Sequence, residues 1–367
     1  MKLVELSSLC KMQSGGTPSR SKLSYYEGTI PWAKISDLEK NDDGYIYSTE
    51  EHISEEGLKS INNRMFEPGT LLLAMYGSVG KTAISKISLS TNQAILGIKI
   101  IDENLVNINY LRFWFISIKD KLLDRAVGAA LVNISLGIVK SLQIPLPPLD
   151  QQKKIASILD AADAYRQKTK ALISKYDELT QSLFLDMFGD PVKNEKGWEK
   201  VCFTEVLVLK RGYDLPVQDR VSGQHPIMAS NGILDWHNEF KVKGPGIITG
   251  RSGTLGQVHI TYEDYWPLNT ALYSQNLKGN NPHYILYLLK NFKVERFARG
   301  AGVPTLNRNL VHDELIINIP ITLQNQFAER VQVIEQQKAK AQESLEKAEE
   351  LFNSLLQKAF NGELVEP

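Results

Sequence analysis

Residues 144–191 read IPLPPLDQQKKIASILDAADAYRQKTKALISKYDELTQSLFLDMFGDP, and this stretch decides the architecture. Pro145, Pro147 and Pro148 at its head break any preceding helix, since proline lacks an amide donor and pushes the residue before it out of the helical region. Beyond them, Ile155, Ile158, Ala162, Tyr165, Thr169, Leu172, Tyr176, Leu179 and Leu183 follow at alternating spacings of three and four, the rhythm of a coiled-coil seam. Gly189, Asp190 and Pro191 close the run, because glycine supplies a left-handed cap and proline cannot continue the hydrogen-bond ladder. A helix of more than about 30 residues, roughly 45 to 50 Å long, is predicted.

The rhythm returns near the C-terminus, at Phe327, Val331, Ile334, Lys338, Ala341, Leu345, Ala348, Phe352, Leu355 and Ala359, with Asn361 and Gly362 as the stop. Only Lys338 is out of pattern. Working outward from the two helices, the whole chain is written twice. Pro68-Gly69 and Gly77-Ser78-Val79-Gly80 recur as Pro245-Gly246 and Gly253-Thr254-Leu255-Gly256, an offset of 176 to 177. Asn92 and Ala94 match Asn269 and Ala271, Tyr110 matches Tyr284, and Gly128-Ala129 matches Gly300-Ala301. Pro148, Gln152, Ile155 and Ala156 match Pro320, Gln324, Phe327 and Ala328 at an offset of 172, which Ser182, Leu183 and Phe188 keep with Ser354, Leu355 and Phe360. A register held over so many separated places is a duplication.

The chain therefore divides into a globular domain over 1–145, a central helix over 146–189, a second globular domain over 190–318 and a C-terminal helix over 319–367. Thr70 to Ala74, Ile98 to Ile101, Gly246 to Thr249 and Glu314 to Ile319 read as strands, and Asn109 to Lys121 and Pro282 to Ala298 as helices, so each domain is α/β or α+β. A seam must bury itself, and antiparallel pairing of the two helices, with a partner covering the remaining apolar face, is the economical solution. The first domain is longer between Gly16 and Pro68 than the second between Gly212 and Pro245, so the loops there must differ. Shared framework with divergent loops suits one scaffold that reads two targets.

Bulk properties exclude several classes. No apolar run reaches 18 residues and Met1 to Cys10 lacks a signal core, which points to the cytoplasm and away from membranes. Cys10 and Cys202 are too far apart for a metal-binding or redox pair. Lys plus Arg equals Asp plus Glu at 42 each, so the chain lacks the overall positive charge of a nonspecific DNA binder. Charge is locally uneven: residues 278–308 carry Lys278, Lys290, Lys293, Arg296, Arg299 and Arg308 against Glu295 alone, a candidate phosphate-contacting stretch or a solvated helix face.

Side chains suited to nucleic acid cluster on the glycine-punctuated turns. In the first domain these are Gly15, Thr17, Lys34, Tyr76, Ser78, Lys81 and Thr82. In the second they are Arg211, Tyr213, Ser230, Asn231, Arg251, Ser252, Thr254, Gln257, Asn307 and Arg308. Such turns bring the backbone close to phosphates, and Arg and Gln match the edges of guanine and adenine. Each of these residues also serves as an ordinary turn former.

Catalytic motifs fail one by one. Gly80-Lys81-Thr82 resembles the end of a P-loop, but the required earlier glycine is Met75. Asn281-Pro282-His283-Tyr284 approaches the Asn-Pro-Pro-Tyr signature of adenine methyltransferases but lacks the second proline, and reads as a helix start. Glu239 and Lys241 with Asp219 or Asp235 form a nuclease-like pattern that the first domain does not share. His52, His225, His237, His259, His283 and His312 show no metal-ligand spacing. A self-contained DNA nuclease or methyltransferase, and a protein-binding scaffold, are the competing readings.

Ile144-Pro145-Leu146-Pro147-Pro148-Leu149 with Gln151-Gln152, Met187-Phe188-Gly189-Asp190-Pro191, and Lys358-Ala359-Phe360-Asn361-Gly362-Glu363-Leu364 resemble the specificity subunits of Type I restriction and modification enzymes, across essentially the whole chain. The second copy departs at Pro320-Ile321-Thr322-Leu323, where the paired prolines are absent. The resemblance implies two target recognition domains joined by two antiparallel helices, each domain reading half of a bipartite site in double-stranded DNA. It implies two methyltransferase subunits as partners, with restriction subunits possible in addition. S-adenosylmethionine, ATP and Mg would belong to those partners, and no cofactor or catalytic step to this chain. Recognition domains of the family vary widely, so no contact residue transfers by position.

Overall fold

A computed structural model describes residues 2–40, 43–124, 133–300 and 304–365. Its contacts divide the chain into two compact units, residues 1–171 with 342–367, and residues 172–341. Of the repeated positions, Gly128, Ala129 and Ala301 lie outside the described residues. No described helix is long and apolar enough to cross a membrane.

The first unit contains β1 (Leu3–Glu5), β2 (Cys10–Ser14), β3 (Ile30–Ala33), β4 (Tyr45–Ile46), β5 (Glu51–Ile53), β6 (Leu71–Ala74), β7 (Thr82–Ser85), β8 (Ser90–Thr91), β9 (Ile95–Ile100) and β10 (Gln143–Pro145). They form a sheet of order β2-β9-β6-β7-β4, a smaller sheet β5-β3-β8 and the antiparallel pair β1-β10. All four residues of β6 are buried, as expected of an interior strand covered on both faces. The helix anticipated over Asn109 to Lys121 is two, Ile108–Ser117 and Lys119–Asp124. The first ends before Ile118, whose φ of −102° and ψ of 10° leave the helical range, while the Trp114 carbonyl accepts both the Ile118 amide at 3.1 Å and the Ser117 hydroxyl at 2.7 Å.

The second unit contains β11 (Lys200–Cys202), β12 (Val208–Arg211), β13 (His225–Ala229), β14 (Gly232–His237), β15 (Gly246–Gly250), β16 (Val258–Thr261), β17 (Trp266–Pro267), β18 (Ala271–Asn276), β19 (Ala298–Arg299), β20 (Thr305–Leu306) and β21 (Leu315–Ile317). Its sheets run β12-β18-β15-β16 and β14-β13-β17, with the pairs β11-β21 and β19-β20. The helix anticipated over Pro282 to Ala298 ends at Phe292, because Lys293 takes a left-handed conformation at φ 55°. Its N-terminus reads as the sequence suggests, with the Asn281 side chain capping and Pro282 in the first turn.

The units share local construction. In the first, β3 pairs antiparallel with β5 and parallel with β8; in the second, β13 pairs antiparallel with β14 and parallel with β17. The extra length of the first domain lies between β3 and β5, where residues 34–50 carry the helix Ile35–Lys40 and β4. At the corresponding corner of the second unit, Ser230 and Asn231 alone connect β13 to β14.

The long helices span Leu149–Phe188 and Ile321–Asn361, 40 and 41 residues, or roughly 60 Å each. Gly189 and Gly362 stop them at φ 75° and 84°. Within the first unit, the Arg166 guanidinium lies 4.3 Å from the Phe352 ring centre and Lys170 pairs with Glu349 at 3.1 Å, so numbers rise on one helix as they fall on the other. Within the second, Lys338 pairs with Asp177 at 2.5 Å and Phe184 packs edge-on against Phe327. The helices are antiparallel in each unit.

The expected seam needs one correction. Ile155, Val331 and Phe352 are buried, and Ala162, Leu183, Ile334, Leu345 and Leu355 are half-buried. Leu172 and Leu179, however, are 43% and 50% exposed, in one row with Ile158 and Tyr165 at seven-residue intervals. That row lies about 60° around the helix from Ile155. The packed face extends the other way, through Gln152, Ala156, Leu159 and Asp163.

One device locks each long helix to its own unit. Gln152 is fully buried, accepts the Asn107 amide at 2.9 Å and donates to the carbonyls of Leu105 at 2.9 Å and Pro147 at 2.8 Å. Gln324 accepts the Asn281 amide at 2.9 Å and donates to the Asn280 side-chain oxygen at 2.7 Å and the Ile319 carbonyl at 2.8 Å.

Candidate nucleic-acid interface

The repeated glycine motif forms the loop between β6 and β7 in the first unit and between β15 and β16 in the second. Gly77 and Gly80, at φ 66° and 83°, match Gly253 and Gly256, at 83° and 78°. These angles favour glycine, which explains the spacing. Around each loop the backbone hydrogen bonds correspond. The Met75 amide donates to Ala94 at 2.8 Å and the Ile134 amide to Met75 at 3.0 Å; the Arg251 amide donates to Thr270 at 2.8 Å and the Leu306 amide to Arg251 at 2.7 Å. A bridge from Tyr76 to Asn133 corresponds to one from Ser252 to Thr305.

In the first unit most candidate groups are already engaged. Lys34 donates to Glu51 at 2.7 Å and lies 3.6 Å from Glu50; the Ser78 hydroxyl donates to Glu39. Burial pushes the Glu51 carboxyl up, but hydrogen bonds from Arg20 and Lys34 outweigh it and hold the group below the usual carboxylate range. Gly15 is buried and its amide donates to Ile95 at 3.0 Å, whereas Thr17 is exposed. Tyr76 is exposed and Lys81 half-buried. Thr82 is only 5% exposed and its hydroxyl is buried, so the surface role expected of it fails in this conformation. Arg20, absent from the sequence candidates, packs 4.1 Å from the Tyr26 ring centre and 5.2 Å from that of Trp32. Its proximity to Trp32, twelve residues on, is set by folding and leaves no periodic signal.

In the second unit the folding brings candidates together. Arg211 at the end of β12, Arg251 just after β15, and Asn307 with Arg308 beyond β20 line one open cleft of about 430 Å³, floored by Leu272 and Leu306. Thr305 and Asn309 complete it. Arg251 is held by a donation to the Asn269 carbonyl at 3.2 Å. Of the three arginines, only Arg211 has a carboxylate partner within 4 Å among the described residues, Asp214 at 3.6 Å. A Cβ on Gly250 would run into the Thr254 carbonyl and approach Ser230 at 3.3 Å, so the Ser230 turn and the glycine loop abut. Ser230 is buried beneath that contact; Asn231, Thr254 and Gln257 are exposed, and Ser252 is half-buried. Tyr213 stands behind, its hydroxyl 3.2 Å from that of Tyr273.

The basic run 278–308 does not act as one surface. Lys290 sits in the field of Asp177 and Glu335, and burial lowers its pKa. Arg296 lies against the Phe292 and Phe297 rings, and Arg308 alone reaches the cleft. The nuclease-like pattern is likewise dispersed: Lys241 covers the Trp266 ring and Asp235 faces Arg220 at 3.9 Å. Among the described residues no group of three or more His, Cys, Asp or Glu is placed to hold a metal ion.

Comparison with known proteins gives a consistent picture. The profile of the Type I restriction modification DNA specificity domain matches residues 1–175 and again 195–357. The chain is similar to the MjaIX specificity subunit of Methanocaldococcus jannaschii, 25% identical, with 96% of this chain and 91% of that one covered. It is similar also to the EcoprrI specificity subunit of Escherichia coli, 20% identical, covering 82% and 79%. Among solved structures it shares its fold with the S subunit of a Type I system from M. genitalium, at TM-score 0.60 and 16% identity, over 98% of this chain and 96% of that one. A chain solved for complex assembly and conformational transition of the Type I R-M system gives 0.58 and 16%, over 99% and 98%.

Proposed function

This chain belongs to the family of Type I restriction modification DNA specificity subunits, and we propose that it recognises a bipartite site in double-stranded DNA and directs methyltransferase and restriction subunits to it. Residues 1–145 and 190–318 would each read one half. The observation that carries this reading is the shared loop frame bearing unlike side chains. Where the loop of the second unit has Ser252, Thr254 and Gln257, that of the first has Tyr76, Ser78 and Lys81. One scaffold presenting two chemistries is what reading two different half-sites requires.

The accessible candidates for DNA contact are Thr17, Tyr76 and Lys81 in the first unit and Arg211, Asn231, Arg251, Thr254, Gln257, Asn307 and Arg308 in the second. Helices of about 60 Å are long enough to set a spacing of one DNA turn, roughly 34 to 36 Å. Exposed Ile158 and Tyr165 in the first unit, and exposed Leu172 and Leu179 in the second, each keep the seven-residue interval at which a partner helix is met, and support docking of one methyltransferase subunit on each unit. In this reading the chemistry belongs to those partners, with S-adenosylmethionine, ATP and Mg on them, and the chain works in the cytoplasm without a catalytic step of its own. Methylating an adenine requires the base to leave the stack, which separates locating the site from acting on it.

Expressing the chain with the methyltransferase encoded beside it, and mapping methylated adenines by single-molecule sequencing, tests the proposal. The expected result is a split motif with two short halves and a fixed gap. A single unsplit motif, or none, overturns it.

A further inference from the structure

Resting on the DNA-reading role above, we infer that the cleft of Arg211, Arg251 and Arg308 is a clamp for a backbone phosphodiester of DNA, present in the second unit and without counterpart among the described residues of the first.

Three arginines from separate segments line one recess, and among the described residues only Arg211 shares its charge with a carboxylate within 4 Å. Such convergence calls for an anion. The shape of the site separates phosphate from base. Base edges lie at the bottom of a groove about 8.5 Å deep and are read by side chains that project into it. A recess receives what projects from the duplex, and that is the phosphate. The buried side chains of Leu272 and Leu306 offer no competing hydrogen-bond partner, which leaves the charge-assisted hydrogen bonds of the arginines to the ligand. Arg251 is pre-positioned by its bond to Asn269, so little side-chain freedom is lost on binding. In the first unit the same frame carries Ser14, Met75 and Leu136, and the nearby Lys34 is held by Glu50 and Glu51. The second unit would thus contribute more of the salt-dependent, sequence-independent affinity.

The test is a salt series of duplex-binding titrations on the full chain with its methyltransferase partner. It compares the unmodified protein with Arg211→Gln/Arg308→Gln and Arg211→Lys/Arg308→Lys, on a duplex carrying the methylated motif and on an unrelated one. The glutamine pair should lose at least about tenfold in affinity on both duplexes. The slope of log affinity against log salt should become shallower by about one. The methylated motif should not change, and the lysine pair, which keeps the charge, should recover most of the loss. Unchanged affinity and slope overturn the clamp. A changed motif with an unchanged slope overturns it in favour of base reading. If the unmodified complex binds neither duplex, the DNA-reading role itself falls and the clamp with it. A pair of variants that failed to fold would show in the melting transition, and the lysine pair then decides.

Discussion

Replacing Gln152 by Met keeps the length of a fully buried side chain and removes its three hydrogen bonds, to the Asn107 amide and the carbonyls of Leu105 and Pro147. Each buried polar group left without a partner costs about 1 to 3 kcal/mol, and partial relaxation brings the sum to roughly 4 kcal/mol. For a unit of nearly two hundred residues that corresponds to a fall in melting temperature of about 8 to 16 °C. Urea unfolding followed by tryptophan fluorescence reports it, because Trp32 and Trp114 are buried in the first unit and Trp266 in the second. Gln152→Met should shift the transition of the first unit, and Gln324→Met that of the second. A change below about 1 kcal/mol in both would refute the claim that these glutamines hold the helices by hydrogen bonding, and would leave shape alone as the reason for the residue.

Other outcomes follow from the same structure. Phe352→Ala, which empties a site 6.1 Å from the Phe113 ring, should cost the first unit about 3 to 5 kcal/mol in denaturant unfolding. Leu172→Asp should alter stability by less than about 0.5 kcal/mol, yet abolish co-purification with the methyltransferase; retained assembly counts against the exposed row as a docking surface. A thiol reagent should label exposed Cys202 and spare Cys10, whose thiol is pushed up to about 12 by burial, until the protein unfolds; two fast-reacting thiols in native protein would contradict this. His259, lowered by burial and then Lys290, and His312, lowered by burial and then Arg308, both take up protons more readily in the unfolded chain. The stability they confer on the second unit is complete above the unfolded value of 6.5 and declines as pH falls below it toward the folded values. His312→Gln, which still offers the Leu209 amide an acceptor, should flatten that decline in unfolding midpoints measured from neutral to mildly acid pH.

The long helices were legible because their apolar residues recur every three or four positions, a local signal, and the duplication because its offset of 172 to 177 residues holds at many separated places. Which of two adjacent apolar rows turns inward was not, since the Ile155 and Leu172 rows are equally apolar and the packing of each unit chooses between them. Gln152 was visible as a matched position, but its partners at 105, 107 and 147 are scattered and carry no pattern. Arg211, Arg251 and Arg308 stood out individually by type and turn context. Their meeting depends on β12 and β15 both flanking β18, a pairing across sixty residues that no window of sequence contains. Thr82 was misread for a related reason: its place beside a glycine turn suggested the surface, but it opens β7, a strand all four residues of which are buried.

The bonds that shape the glycine loops are made by main chain to main chain, at Met75 as at Arg251. The frame is therefore indifferent to what its residues display, and the Tyr76 phenol in one unit and the Ser252 hydroxyl in the other sit on it equally well. A scaffold of this kind separates being folded from being selective, so that substitutions at the display positions rewrite the message while leaving the page on which it is written intact.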